Sequence, residues 1–118
     1  MKLLALFLAL VIPAAATADE LKDLTRTFAC QLCHKREGPF IGPSWLNISE
    51  RYKYESTYFY ELEEYPLVEG LVKKVSYGEH NTWKDPEASM LANDYELKHQ
   101  PEITKIIKDI LNLQKSKK

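Results

Sequence analysis

Cysteine is scarce in this 118-residue chain: there are two, at positions 30 and 33. A bridge between such near neighbours would restrain little of the unfolded chain, so a disulfide framework explains little of the fold. An excess of either charge is also missing, with 16 basic residues against 17 acidic ones and a formal net charge of −1. Nucleic-acid binding needs a concentrated basic face, and the composition offers none. Residues Lys115 to Lys118 hold three lysines, but as a chain end they read as a solvated terminus. The longest apolar run, Leu3 to Ile12, has ten residues, well short of the roughly 20 that a membrane span requires. No persuasive strand pair is visible. The expected fold class is therefore all-α.

The start of the chain has its own logic. Lys2 precedes the apolar run, Pro13 ends it, and Ala16-Thr17-Ala18 is a small-x-small cleavage site. That pattern reads as a secretory signal peptide over residues 1–18, cut after Ala18, with an uncut anchor as the alternative. A single domain over residues 19–118 would follow. Losing Lys2 takes its formal charge from −1 to −2. A domain of this size buries a modest core, and small domains often lean on a metal or a covalent cofactor.

Against this background Cys30-Gln31-Leu32-Cys33-His34 stands out. Two thiols three positions apart, with an imidazole directly after the second, form a covalent attachment pattern for c-type haem. Each cysteine would add across one porphyrin vinyl group as a thioether, and the next residue would fall beneath the iron as an axial ligand. Zinc binding and thiol exchange also use CxxC pairs. A thiol–disulfide oxidoreductase would require a βαβ context, which the chain does not display, and would leave His34 without a role.

Apolar periodicity places the helices. Leu21, Leu24 and Phe28 recur at helical spacing, so a first helix is expected over about residues 20–34. Gly38-Pro39 and Gly42-Pro43 punctuate the loop that follows. Pro43 lacks an N–H but keeps a carbonyl, the kind of acceptor that fixes the orientation of a ligand histidine. A short helix is expected from Asn47 or Ser49 to about Lys53. Six aromatics then cluster at Tyr52, Tyr54, Tyr58, Phe59, Tyr60 and Tyr65. They read chiefly as core and surface packing, with a haem-edge cover or a docking patch as alternatives. Asn47-Ile48-Ser49 matches a glycosylation acceptor, a weak signal.

Leu67, Leu71, Val72 and Val75 mark a helix over about 67–76, stopped by Gly78. His80 to Asn93 reads as an ordered loop. Pro101 and Glu102 open the last helix, and Ile103, Ile106, Ile107, Ile110 and Leu111 give it a continuous apolar stripe.

An iron held by His34 needs a second ligand or an open position. Met90 is the only methionine left once the leader is removed, and a thioether sulfur suits reduced iron. His80 and His99 are the competing ligands, and an open site would leave Met90 as packing.

With these pieces in this order, the mature chain resembles a small bacterial class I cytochrome c of the c-551-like kind. The resemblance implies a fold in which the terminal helices pack together around one covalent haem c. It implies that the Pro43 carbonyl accepts from His34, that Trp83 bonds a haem propionate, and that Asn93 contacts the sulfur of Met90. The chain departs from the pattern in having Leu91-Ala92 after the methionine, no glycine in the first helix, and a longer, tyrosine-rich stretch before Met90. The function expected is a soluble periplasmic carrier of single electrons, not an enzyme, with transient redox partner proteins and no stable membrane insertion. A haem-binding subunit or open-site haem enzyme of a larger complex is the second reading. His34 and Met90 are expected to face each other across an apolar slot.

Overall fold

A computed structural model describes residues 18–80, 89–90 and 92–113. The proposed leader except its last residue, Ala18, lies outside the described residues, as do Trp83 and the lysine tail. Helix α1 spans Ala18–Thr27, α2 Trp45–Tyr52, α3 Leu67–Tyr77 and α4 Gln100–Leu111. Strands β1 (Thr57–Tyr60) and β2 (Glu63–Pro66) lie between α2 and α3, and β3 (Glu79–His80) and β4 (Ser89–Met90) between α3 and α4. The chain is mostly helical, as its periodicity implies. The expectation that no strands pair is corrected by two antiparallel ladders, one joining β1 to β2 and one joining β3 to β4.

The first hairpin explains why it escaped notice. Tyr60 pairs with Glu63, so the loop is the two residues Glu61-Leu62. Both have positive φ, 47° and 70°, as in the primed turns that match strand twist and normally use Asn-Gly or Asp-Gly. Left-handed backbone costs a non-glycine residue on the order of 1 kcal/mol. The ladder and the packing beneath it must offset that cost. Tyr58 and Tyr60 point inward and are buried, while Thr57 and Phe59 face out.

Helix α1 is shorter than the expected 20–34. It ends at Thr27, Ala29 turns left-handed at φ 60°, and Cys30–Leu32 form a single 3-10 turn. The hydroxyls of Thr25 and Thr27 donate to the carbonyls of Leu21 and Asp23 at 2.8 and 2.9 Å. Helix α2 begins earlier than expected, because Ser44 is its N-cap and accepts from the Asn47 N–H at 3.1 Å. Ser49, inside the glycosylation-like triplet, is fully buried and donates to the Leu111 carbonyl at 3.3 Å. Helix α3 stops at Gly78, with φ 80°, as its sequence implies.

Helix α4 carries the core on two of its edges. Ile103 and Ile107 pack with Tyr52, Tyr58, Tyr60, Leu71 and Val72. Ile106 and Ile110 pack with Leu21 of α1, Trp45 of α2 and Leu113. The terminal helices thus meet through Leu21, and Glu20 pairs with Lys105 at 3.4 Å across the seam. Gly70 brings α3 close to β1: a Cβ there would lie 2.8 Å from Tyr58 Cβ and 3.1 Å from the Tyr58 carbonyl oxygen.

The start of α4 is held by Asp94, whose carboxylate accepts from the backbone N–H groups of Lys98 and His99, each at 2.9 Å. It also accepts from the Gln100 side chain at 3.0 Å, and Gln100 in turn reaches Ser76 of α3 at 2.8 Å. One buried acid thereby fixes the chain leading into the helix and places a negative charge near its N-terminal end.

Candidate functional site

The 3-10 turn places both thiols within one tight loop after α1. Cys30 is half-buried and Cys33 exposed, and both are free. The turn closes through the Cys33 and His34 N–H groups, which donate to the Cys30 carbonyl at 3.2 and 3.0 Å. Burial pushes the Cys30 thiol pKa up, while its backbone hydrogen bond pulls the other way. The chain then loops back, with the Gly42 N–H donating to the Cys33 carbonyl at 2.6 Å and the Trp45 N–H to the Lys35 carbonyl at 2.8 Å.

That loop delivers Pro43 to His34. The imidazole Nδ1 lies 2.6 Å from the Pro43 carbonyl oxygen. A carbonyl only accepts, so Nδ1 carries the proton and the lone pair of Nε2 is left for another partner. His34 is buried and stacks on Trp45, with ring centroids 4.8 Å apart and planes 25° apart. Burial lowers its pKa, the bond to Pro43 opposes the shift, and the charge of Lys74 adds to it. The net effect favours the neutral ring, the form that binds metals. Gly42 is required beside it: a Cβ would lie 2.7 Å from His34 Cε1 and 2.9 Å from Nδ1.

His34 and Trp45 line a cavity of about 390 Å³ whose other walls include Leu21, Thr25 and the cations Lys22, Lys35 and Arg36. Leu32 of the cysteine turn and Ile41 of the following loop are exposed, and Lys35 sits over the Phe40 ring at 4.8 Å.

Met90 is half-buried on β4, opposite Glu79 of β3. It lines a second cavity of about 610 Å³ with Tyr60, Tyr65, Tyr77 and Tyr95. The two cavities share no lining residue. Asn93 is engaged elsewhere: its Nδ2 donates to the Phe28 carbonyl at 2.9 Å and lies 3.9 Å from Cys30 Sγ. The Met90 segment is thus tied to the end of α1, next to the cysteine turn. His99 is exposed and packs against Phe28 at 5.2 Å between ring centroids. The backbone of His80 pairs with Ser89. Trp83 lies outside the described residues.

Sequence reasoning missed Trp45, Ser44 and Asp94. A tryptophan two residues after Gly42-Pro43 was the available signal for the first.

These observations suit a thioether-bound haem. Two free thiols share one turn, the histidine after them has its proton fixed on Nδ1, and a glycine stands where a side chain would strike the ring. No group of three His, Cys, Asp or Glu side chains able to hold a metal ion occurs among the described residues.

No protein-family model matches the chain. No curated protein matches it either. Solved structures do. The wild-type Nitrosomonas europaea cytochrome c552 superposes with a TM-score of 0.61 at 21% identity, over 78% of this chain and 98% of that one. Its N64Del mutant gives 0.58 at 20%, over the same shares. The cysteine turn, the histidine, the glycine–proline loop and the meeting terminal helices thus belong to a chain with a small cytochrome c fold.

Proposed function

We propose that this protein is an exported monohaem c-type cytochrome that carries single electrons between larger redox proteins. The observation that carries the proposal is the His34–Pro43 hydrogen bond at 2.6 Å, set directly after two free thiols on one turn. The cytochrome c fold supports it.

Cys30 and Cys33 would tether the haem, each thiol S–H adding across one vinyl C=C so that no atom is lost. His34 would bind the iron through Nε2, with Pro43 holding the ring and Gly42 giving it room. Met90 is the proposed second ligand, with His80 and His99 as substitutes. When bound, the haem supplies a one-electron iron(II)/iron(III) couple. The chain supplies a low-polarity socket and a fixed histidine, which limit reorganisation when the charge changes. The proposed setting is the periplasm, after removal of residues 1–18, with redox partner proteins met transiently and no stable membrane insertion.

The test is intact mass spectrometry of the protein expressed with a c-type maturation system. A mature mass beginning at Asp19 and carrying one haem is expected; a haem-free mass would sink the proposal. Met90→Ala should then lower the reduction potential, because a sulfur ligand favours reduced iron. The second reading is an open-site haem protein within a larger complex. Ready binding of carbon monoxide to the reduced protein at neutral pH would select it.

A further inference from the structure

The β1–β2 hairpin has a composition that the proposed haem site does not use. Residues 54–66 contain four glutamates, Glu55, Glu61, Glu63 and Glu64, and no lysine, arginine or histidine. All four are exposed. Among them stand large apolar side chains that the fold leaves in water. Leu62 at the tip is 98% exposed, Tyr54 is 89% and Phe59 is 62%. Phe59 lies directly opposite Glu64 on the outer face of the ladder. Lys53 and Lys73 flank the hairpin over the Tyr54 and Tyr65 rings, at 5.0 and 4.9 Å. At the turn and on the outer face around Leu62 and Phe59, the only charged residues of the hairpin itself are acidic. An exposed apolar patch with such a rim is the anatomy of an interaction surface, not of an ordinary solvated hairpin.

The hairpin is also placed to matter. Its inner residues Tyr60 and Tyr65 line the same cavity as Met90. Anything seated on the outer face lies one sheet thickness from the wall of that cavity.

We infer that the outer face and tip of this hairpin dock a basic redox partner protein, one whose lysines and arginines surround an apolar recess that takes Leu62 and Phe59. The charge of the patch selects the occupant. Anionic lipid and nucleic acid are repelled by it, whereas a basic rim is steered towards it. The inference rests on the haem-carrier reading, since it names the partner of that same site.

The probe is an apolar trication, tris(1,10-phenanthroline)cobalt(III), which takes one electron from reduced haem so that cobalt(III) becomes cobalt(II) and iron(II) becomes iron(III). Stopped-flow oxidation of the haem-loaded protein is compared in wild type, E61Q/E63Q/E64Q, Leu62→Gly and Phe59→Ser. The charge variant should react about fivefold more slowly at low salt, and the difference should collapse at high salt. Leu62→Gly and Phe59→Ser should be slower at every salt concentration. Leu62 has φ 70°, where glycine is at ease, so the substitution adds no backbone strain, and an unchanged unfolding midpoint separates its loss of rate from a loss of fold. Oxidation by anionic hexacyanoferrate(III) should be no slower in the charge variant.

The redox-inert chromium(III) analogue should broaden amide NMR signals of residues 54–66 first. That measurement reads the hairpin whether or not haem has been attached, so a haem-free product would overturn the carrier reading alone. Equal rates in all variants with broadening elsewhere would overturn the inference. So would a wild-type protein that sediments as a dimer and becomes monomeric on Leu62→Gly, because the occupant would then be a second copy of this chain.

Discussion

The His34 ring and the backbone at Gly42 are so close that hydrogen is the only side chain that fits between them. A Cβ at 42 would sit 2.7 Å from His34 Cε1 and 3.1 Å from the Cys33 carbonyl oxygen. The same loop carries the Pro43 carbonyl that holds Nδ1. Moving the loop to admit a methyl group therefore also moves the acceptor. Gly42→Ala should cost roughly 1–3 kcal/mol of stability, the usual penalty for overpacking, and should lower the yield of covalently loaded protein. Urea denaturation and intact mass measure the two effects.

Gly70 offers a parallel test away from the site. A Cβ there meets both Cβ and the carbonyl oxygen of Tyr58, so β1 itself must shift. Gly70→Ala should destabilise by about 1–3 kcal/mol despite alanine's better helix propensity. Chemical denaturation decides the sign.

Leu62→Gly is expected to act in the opposite direction. With Leu62 98% exposed, little packing is lost. With φ at 70°, relief of the left-handed strain contributes on the order of 1 kcal/mol. An unchanged or higher midpoint of unfolding is the expected result.

Asp94 should set the acid limb of stability. Burial pushes its carboxyl up, but hydrogen bonds from Gln100, His99 and Lys98 outweigh that and hold its pKa below the usual value. A depressed folded pKa stabilises above the unfolded pKa, and that contribution is lost as pH falls through the folded value. Melting temperature should therefore drop below about pH 4. Asp94→Asn should be less stable at neutral pH and should show a shallower drop. Thermal melts from neutral to acid pH measure both.

Lys74 should act at the other end of the scale. It is buried, and burial outweighs the attraction of Glu79, with Arg51 adding to the effect; its pKa falls to about 8. Below that pH the buried charge costs stability. Between about 8 and 10.5 the unfolded chain binds the extra proton, so stability rises with pH. Lys74→Met should abolish that rise, which would be visible as parallel unfolding midpoints at pH 7 and in the alkaline window.

Helix α4 and the cysteine turn were legible for different reasons. Ile103, Ile106, Ile107 and Ile110 are all buried, so one face of the helix is written directly into its spacing. The CxxCH pentapeptide is local chemistry that needs no tertiary context to be seen. The hairpin was not legible, because Glu61-Leu62 lacks the residues that signal a primed turn and its fit depends on tyrosines packing beneath it. Ala29 gave no warning of a left-handed backbone at the end of α1, since nothing in an alanine encodes it. Asp94 was invisible as a cap because its partners lie four to six positions ahead, beyond the usual capping distance.

The Asn93 side chain reaches back 65 positions to the Phe28 carbonyl. A contact spanning more than half the chain closes late, because the entropy of so long a loop must be lost first. Until that contact forms, the carbonyl has only local partners, the Cys30 thiol at 3.8 Å among them, and the thiol lacks its eventual neighbour from far along the chain. The cysteine turn therefore gains this neighbour from one of the last contacts to close.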